Sequence, residues 1–389
     1  MRTLRSRAFT IIELLVVIGI IVLLIAIAVP AFSSMLQSTE RSLAENQLKA
    51  AIAAGRDAAI KSESGDAATV FFFTPGGRVT AVPCVVVAQI EDFSRHNSTS
   101  PTAFPLKTRD IFVPVAGSTP IQMPRGWSVR GFAAPGTTYT GAAATANDVD
   151  QFEPWYESYF GGTLGPNVAA GCWVFPETGF FDGRAAAVNN NTTPSGTRRQ
   201  TFMVRFKAGS GDLDLSTTST ALVFDPAAGD PATTTTFRTT APYNNVRADQ
   251  LRVFTSVAPS PAAFVKRVIN HPNVTPQQLR QLLGDRSPDT VLARPVTELA
   301  LYEEARLASG IRARSLNRTT GTLYGDPMMP SYDTALLPAD ISNQAQLATA
   351  IRRWIEGRPG ATPPEVREPF DARVYTLQRY MGQLAEVEP

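Results

Sequence analysis

Residues 7–32 read RAFTIIELLVVIGIIVLLIAIAVPAF, and this stretch decides the fold that the sequence predicts. The segment from Phe9 to Phe32 contains a single charged residue, Glu13. At about 1.5 Å per residue, a helix over this segment would extend roughly 36 Å, more than the about 30 Å hydrocarbon core of a bilayer. The sequence therefore predicts a membrane-spanning helix at residues 9–32.

The charges ahead of that stretch predict its orientation. Arg2, Arg5 and Arg7 precede it, and no acidic residue lies among the first eight positions. Because basic residues favour the cytoplasmic side of a membrane, we expect a cytoplasmic N-terminus. The expected location is a single pass through a bacterial inner membrane with a periplasmic C-terminal head, and a pseudopilus after assembly.

Three details distinguish the stretch from an ordinary membrane anchor. The small residue Ala8 stands before the apolar run, whereas a secretory signal peptide has its small-residue cleavage site after it. Glu13 places a carboxylate inside the run, where a lone charge is costly. Pro30 removes one backbone donor, which predicts a kink in the helix.

The segment from Ala8 to Ile18 resembles the class III signal of type IV pilins and type II secretion pseudopilins. The resemblance implies cleavage by a prepilin peptidase between Ala8 and Phe9, followed by N-methylation of Phe9. Glu13 and Pro30 then take the fifth and twenty-second mature positions, as in the family. Ala8 stands where the family usually has glycine, and its small side chain is expected to fit as well.

The charge of Glu13 fits this resemblance. Cleavage creates a positive amine on Phe9, and Glu13 of one subunit can neutralise the Phe9 amine of a neighbour in a fibre. Such a pair is favoured in surroundings of low dielectric constant, where an unpaired carboxylate is penalised. The sequence therefore predicts Glu13 as an assembly residue. The alternative is a plain signal anchor in which Glu13 lies near the membrane interface.

Composition is that of a globular protein. The chain has 389 residues, of which 43% are hydrophobic and 18% charged, with a formal net charge of +2. This near-neutral balance predicts no nucleic-acid partner. Cys84 and Cys172 are the two cysteines. Export to an oxidising compartment would allow a disulfide between them, and the alternative is two separate buried thiols.

The order of sequence patterns predicts the domain organisation. We expect a leader at 1–8, a transmembrane half-helix at 9–32, an amphipathic half-helix at 33–65, a β-rich head at 66–258 and a helical extension at 259–389. Within the extension, the capping hydroxyl of Thr275 in the run 275–278 predicts a helix start. Further helices are predicted at 298–309, 341–356 and 366–386. Strand patterns at 69–73 and 78–87 flank a Pro-Gly-Gly turn and predict a β-hairpin. This helix-then-hairpin order is similar to the GspH/FimT group of minor pseudopilins. The predicted fold class is α+β and pilin-like: a long N-terminal helix on an antiparallel sheet, with additional C-terminal helices.

Catalytic and metal-binding patterns are not evident. His96 and His271 lie in loop sequences without ligand or nucleophile spacing. The acids Asp212, Asp214, Asp225 and Asp230 match no calcium-loop template and are interpreted as solvated turn residues. The aromatic run Phe152, Trp155, Tyr156, Tyr159 and Phe160 is interpreted as loop packing rather than as a binding surface. The sequence predicts no catalytic residue, cofactor or metal, and a protein that is not an enzyme.

The resulting functional prediction is a structural minor pseudopilin of a type II secretion system. Its expected partners are prepilin peptidase, other pseudopilins or pilins, the inner membrane and its assembly platform. One alternative is a minor pilin of a type IV pilus, acting in adhesion, motility or DNA uptake. The other is a membrane-anchored periplasmic enzyme or binding protein, which the long segment after residue 259 motivates.

Overall fold

The structure is a computed structural model that divides the chain into two compact units, Met1–Asn46 and Gln47–Pro389. It describes residues 11–63, 65–74, 78–92, 107–133, 172–174, 176, 200–215, 221–224, 260–283, 290–310, 351–352, 354–356, 372–380 and 382–387. The boundary between the units falls inside the first helix, so each unit is described by itself.

Helix α1 runs over Ile11–Lys61 and has 51 residues. In the first unit, each described side chain from Ile11 to Glu40 is exposed. The polar end of this unit carries an ion pair between Arg41 and Glu45, whose Nε and Oε1 atoms lie 3.4 Å apart at helical i,i+4 spacing. Such a pair contributes only modestly to helix stability, typically about 0.3–0.5 kcal/mol.

The predictions of a membrane-spanning helix and of a membrane location are contradicted by the structure. A membrane span needs both length and sustained hydropathy, and no helix among the described residues combines the two. This finding contradicts the predicted transmembrane half-helix at 9–32. It likewise contradicts the predicted single-pass location in a bacterial inner membrane with a periplasmic head.

In the second unit, the C-terminal part of α1 packs closely on the strand that follows it. Leu48, Ala51 and Ile52 are buried on one face of the helix. Gly55 allows the close approach, because a Cβ there would lie 2.9 Å from the backbone nitrogen of Thr69. The Thr69 hydroxyl donates to the Ala51 carbonyl at 2.8 Å. A larger residue at position 55 would push helix and strand apart.

The remaining elements follow α1 in chain order. The strands are β1 (Ala67–Thr74), β2 (Arg78–Asp92), β3 (Lys107–Pro114), β4 (Ile121–Gln122), β5 (Trp127–Ala133), β6 (Cys172–Val174), β7 (Gln200–Phe206), β8 (Ala221–Phe224), β9 (Thr290–Pro295), β10 (Glu298–Glu303), β11 (Arg373–Leu377) and β12 (Leu384–Glu386). The later helices are α2 (Pro261–Ile269), α3 (Pro276–Leu282) and α4 (Glu304–Gly310).

Six strands form a closed sheet. Their order is β1-β7-β9-β8-β3-β2, and β1 also pairs with β2, while β4 adds to the side of β2. The pairs β3–β8 and β7–β9 are parallel, and the other pairs are antiparallel. Alternate residues of these strands share a buried core: Ala68, Val70, Phe72, Val82, Cys84, Phe112, Met203, Ala221, Val223, Val291 and Ala293.

This closed sheet overturns the predicted pilin-like fold class of a long helix packed on an antiparallel sheet. The sheet is mixed rather than antiparallel, and it closes through β9, which lies far along the chain in the segment expected to be helical. Alternation of apolar residues identifies the buried side of a strand, but it does not indicate whether the sheet closes. The predicted fold class is therefore wrong, and this fold does not support the pseudopilin and transmembrane assignments that were attached to it.

A second sheet of five strands has the order β12-β11-β10-β5-β6, and its pairs are antiparallel. It approaches the closed sheet at Gly131 of β5. A Cβ at that position would lie 2.6 Å from the Phe202 ring and 3.0 Å from the Val296 side chain. Glycine at this point therefore permits close packing of β5 against the closed sheet.

The C-terminal segment contains strands where the sequence predicts helices. Residues 298–309 form β10 and then α4, and the predicted helix at 366–386 contains β11 and β12. Four consecutive residues of β10, Leu299 to Tyr302, are buried, which is typical of a strand covered on both faces. Such a run cannot be distinguished from a buried helix by periodicity.

One helix of this segment, α3, begins where the sequence predicts. At the start of α3, the Thr275 hydroxyl accepts from the Gln278 N–H at 3.3 Å, and the Gln278 side chain accepts from the Thr275 N–H at 2.9 Å. This reciprocal pair is a capping box. Residues 351–352 and 354–356, inside the predicted helix at 341–356, are helical.

Candidate functional site

The exposed apolar side chains of α1 are the largest candidate interaction surface among the described residues. We call them the α1 surface: Ile11, Ile12, Leu14, Leu15, Val16, Val17, Ile18, Ile20, Ile21, Val22, Leu23, Leu24, Ile25, Val29, Phe32, Met35 and Leu36. Their exposed fractions run from 83% at Ile11 to 44% at Val17. Exposed apolar patches above a few hundred Å² mark interaction sites in most proteins.

The α1 surface surrounds the helix rather than forming one stripe. Consecutive helical residues are rotated by about 100°, so the unbroken run from Leu14 to Ile18 faces every direction. A helix that is apolar all round requires burial on all sides. A single partner helix would cover only one side, so this surface requires several neighbours.

The predicted processing residues lie at or beyond the start of the described chain. Ala8 and Phe9, the predicted cleavage and methylation positions, lie outside the described residues. Glu13 is in the first turn of α1 and is exposed. The backbone of Pro30 belongs to α1, and its side chain lies outside the description. Cleavage, methylation, assembly through Glu13 and the kink at Pro30 therefore stay predictions.

The two cysteines belong to different sheets. Cys84 is buried in β2, with its Sγ 3.6 Å from the Val82 carbonyl oxygen. Cys172 begins β6 in the five-stranded sheet, and its side chain lies outside the description. The predicted pairing is not tested by these positions and stays a prediction.

Among the other polar residues considered in the sequence, Asp214 is buried and its Oδ2 lies 3.3 Å from Arg205 Nε, so its interpretation as a solvated turn residue is wrong. The imidazole Nδ1 of His271 accepts from the Asn273 N–H at 3.3 Å just after α2. His96, Asp225, Asp230 and the aromatic run at 152–160 lie outside the described residues. Within the described part of the chain, no group of three or more His, Cys, Asp or Glu side chains could hold a metal ion.

A buried ionic cluster that the sequence did not predict lies at one end of the closed sheet. Arg205 of β7 is surrounded by three carboxylates, which we call together with it the Arg205 cluster. Its Nη2 lies 2.8 Å from Asp66 Oδ2 and 2.6 Å from Asp110 Oδ2, and its Nε lies 3.3 Å from Asp214 Oδ2. The guanidinium also lies 5.4 Å from the centre of the Phe112 ring.

The electrostatics of the Arg205 cluster favour its charged form. Burial acts to lower the pKa of Arg205, but its hydrogen bond to Asp66 and the charge of Asp110 outweigh that effect, so the pKa is raised. Asp66 also accepts from the Ala208 N–H at 3.1 Å, and Asp110 accepts from the Gln89 amide at 2.6 Å. This arrangement binds strands together and leaves the cation engaged, so we interpret it as structural.

A second buried cluster connects β5, β10 and the start of α4. We call it the Glu304 cluster, and its members are Ser128, Arg130, Tyr302 and Glu304. Arg130 Nε donates to the Tyr302 hydroxyl at 2.8 Å, and Arg130 Nη1 donates to the Trp173 carbonyl at 3.3 Å. The Tyr302 hydroxyl donates to Glu304 Oε1 at 3.5 Å. All four residues are buried.

Burial dominates the chemistry of the Glu304 cluster. It raises the pKa of Glu304 to about 7, although the charge of Arg130 and hydrogen bonds from Ser128 and Tyr302 act in the opposite direction. The pKa of Tyr302 is also raised, again chiefly by burial. The cluster can therefore bind and release one proton at Glu304 near neutral pH.

A neighbouring set of polar contacts joins the five-stranded sheet to the helical residues 354–356. The indole N–H of Trp173 donates to Glu356 Oε1 at 2.8 Å, and Arg352 Nε lies 2.9 Å from Glu356 Oε2. Burial, with the charge of Glu356, raises the pKa of Glu298 on β10. These contacts hold the sheet and helix in register, and no reacting geometry is evident among them.

The chain matches no family model, no curated protein and no solved structure. Two features bear on its function: the α1 surface, and the segment from Ala8 to Ile18, whose resemblance to a class III signal stays a prediction.

Proposed function

We propose that this protein is a structural subunit of a fibre, processed by a prepilin peptidase and assembled through α1. Its role is that of a minor subunit in a type II secretion system. The second candidate is a minor subunit of a type IV pilus. It would assemble in the same way as the first candidate, but in a different partner system. The observation that carries the proposal is the all-round exposure of the α1 surface.

The α1 surface supports assembly with several copies or related subunits. Burying one leucine-sized side chain contributes roughly 1.5–3 kcal/mol, so burial of this surface would stabilise a helix bundle strongly. Gly19 offers a position where helices can approach closely, because glycine has no side chain and the space beside it is open in this chain. Packing of α1 helices from several subunits would cover every side of the helix.

Glu13 would fix the register of such a bundle. It is the only charged residue between Ile11 and Gln37, and it lies in the first turn of α1. Within a packed bundle its carboxylate requires a partner of opposite charge. Cleavage between Ala8 and Phe9 would supply one, namely the new amine on Phe9 of a neighbouring subunit.

A charged residue on the α1 surface tests the assembly step. After co-expression with a prepilin peptidase, we expect the wild-type protein to sediment as large assemblies that are visible by negative-stain electron microscopy. Leu24→Asp should be monomeric, because it places a second carboxylate among the packed helices. The matched control is Gln37→Asp, which adds the same charge at an exposed polar position of the same helix.

Two outcomes would contradict the proposal. One is Leu24→Asp assembling as well as wild type, which would mean that the α1 surface is not the contact. The other is a wild-type protein that binds phosphatidylglycerol vesicles through α1 as a monomer and never self-associates.

A further inference from the structure

One oxygen of the Glu304 carboxyl has no hydrogen-bond partner among the described residues. This oxygen is Oε2, which is buried, whereas Oε1 is 3.5 Å from the Tyr302 hydroxyl. Leaving a buried acceptor unsatisfied carries a penalty of about 1–3 kcal/mol, and more when the group is charged. This penalty applies to an ionised Glu304, because part of its negative charge lies on Oε2, which accepts no hydrogen bond from the described residues.

Hydrogen bonds through Tyr302 connect Arg130 to Glu304, and the charge of Arg130 also acts on the Glu304 carboxyl directly. Arg130 donates from Nε to the Tyr302 hydroxyl at 2.8 Å and from Nη1 to the Trp173 carbonyl at 3.3 Å. Since arginine has no acceptor, the hydroxyl proton of Tyr302 is directed toward Glu304. Arg130 therefore donates to Tyr302, and Tyr302 donates to Glu304 Oε1.

We propose that Glu304 is a proton-binding site that couples the packing of α4 on the five-stranded sheet to pH. A proton on the carboxyl removes the buried charge. Its loss leaves a carboxylate with one buried oxygen, Oε2, that accepts no hydrogen bond from the described part of the chain. Burial raises the pKa of Glu304 to about 7, which places this change near neutrality.

Two ion pairs and one further carboxyl lie on the surrounding elements, and the carboxyl is Glu298 of β10, whose pKa is raised by burial and by the charge of Glu356. On α4 and the end of β10, Arg306 Nε lies 3.1 Å from Glu303 Oε2. On the helical residues beside the sheet, Arg352 Nε lies 2.9 Å from Glu356 Oε2. The groups that face Glu304 are thus Ser128 and Arg130 from β5 and Tyr302 from β10.

Two contacts connect the protonation of Glu304 to the packing of the elements around it. The Glu304 N–H donates to the Gly126 carbonyl at 2.8 Å, which fixes the start of α4 beside the turn before β5. The Tyr302 ring meets the Trp354 ring edge to face, with centroids 5.8 Å apart. Ionisation of Glu304 would strain both contacts, and the change would alter the surroundings of Trp354.

Tryptophan fluorescence of the full-length protein between pH 5 and pH 9 tests the proposal. In wild type we expect a reversible transition centred near pH 7. The transition should be absent in Glu304→Gln, which keeps the shape of the neutral acid, and retained in the control Glu303→Gln. A transition that persists unchanged in Glu304→Gln would overturn the proposal, as would the absence of any transition in wild type.

A second variant keeps the test decisive if Glu304→Gln does not fold. Tyr302→Phe preserves the ring and removes the donor to Oε1. Because that hydrogen bond favours the ionised carboxyl, its loss should move the transition upward by about one pH unit. An unchanged or lower midpoint would show that Glu304 is not the titrating group.

Discussion

Asp110 Oδ2 lies 2.6 Å from Arg205 Nη2, and this contact joins β3 to β7 across the interior of the closed sheet. The two strands are not neighbours in the strand order. Asp66, directly before β1, and Asp214, after β7, bind the same guanidinium. One buried cation therefore connects four segments of the chain at one end of the sheet.

Replacing this cation should destabilise the protein strongly. Arg205→Met leaves three carboxylates without their shared partner, and the side chain of Asp214 is only 3% exposed. Breaking a buried ion pair by removing one partner typically costs about 3–5 kcal/mol. Urea unfolding at pH 7 measures the loss. The matched control is Arg352→Met, whose ion pair has side chains 40% and 30% exposed, against 9% for Arg205, and should change stability by less than about 1 kcal/mol. Equal losses in the two variants would contradict the structural role of Arg205.

Substitution by alanine at two glycines of α1 should affect stability differently. Gly55→Ala places a Cβ 2.9 Å from the Thr69 backbone nitrogen, so we expect a loss of about 1–3 kcal/mol from overpacking. Gly19→Ala meets nothing within 4 Å and should leave stability unchanged or slightly higher, because alanine favours a helix. Thermal unfolding distinguishes the two variants, and comparable Tm values would refute close packing of α1 on β1.

Stability should fall as pH rises toward and through neutrality. The pKa of Glu304 is raised from 4.5 to about 7 in the folded state, so the folded protein binds this proton more tightly than the unfolded chain. The resulting stability is fully present below about pH 4.5 and is lost as pH rises through about 7. The linkage predicts a loss of about 2–3 kcal/mol between pH 5 and pH 8.

Urea unfolding at pH 5 and pH 8 measures this loss. Between the two pH values, the free energy of unfolding of Glu304→Gln should fall less than that of wild type, and the difference should equal the predicted loss. The reason is that glutamine does not titrate. If wild type and variant lose the same free energy between the two pH values, Glu304 is not linked to folding.

Glu13 should be dispensable for cleavage and needed for assembly. Glu13→Ala leaves the sequence at the Ala8–Phe9 junction intact but removes the carboxylate that would pair with a neighbour's amine. We expect normal processing and at least several-fold lower incorporation into fibres, measured by quantitative immunoblotting of sedimented assemblies. Glu40→Ala, on an exposed polar turn of the same helix, is the control. If Glu13→Ala were incorporated into fibres as well as wild type, Glu13 would not be needed to pair with a neighbour's amine.

Local patterns predicted part of the fold. The strand–turn–strand pattern of residues 69–87 is confirmed as the antiparallel pair β1–β2, with Val70 opposite Val82. The capping residues Thr275 and Gln278 start α3 as expected. Both depend on contacts within a few residues, which periodicity and turn chemistry report directly. Closure of the sheet depends instead on β7 pairing with β9, which local patterns do not encode.

The buried polar clusters had no sequence signal of their own. Arg205 and Asp110 stand in separate strand patterns, and only closure of the sheet brings them together. Glu304 follows the apolar run of β10, which the sequence assigns to a helix, so its burial beside Arg130 was not foreseen. Knowledge of the β5–β10 pairing would have revealed that cluster. In that register Ser128 stands opposite Tyr302, and Arg130 stands opposite Ala300, two residues away on each strand.

The most direct test of the central claim is the intact mass of the protein after co-expression with an active prepilin peptidase, with an inactive peptidase as control. The account predicts a mature chain that begins with N-methylated Phe9 and that assembles through α1. A chain that retains Met1 and the leader with the active peptidase, and that assembles equally with either, would contradict it.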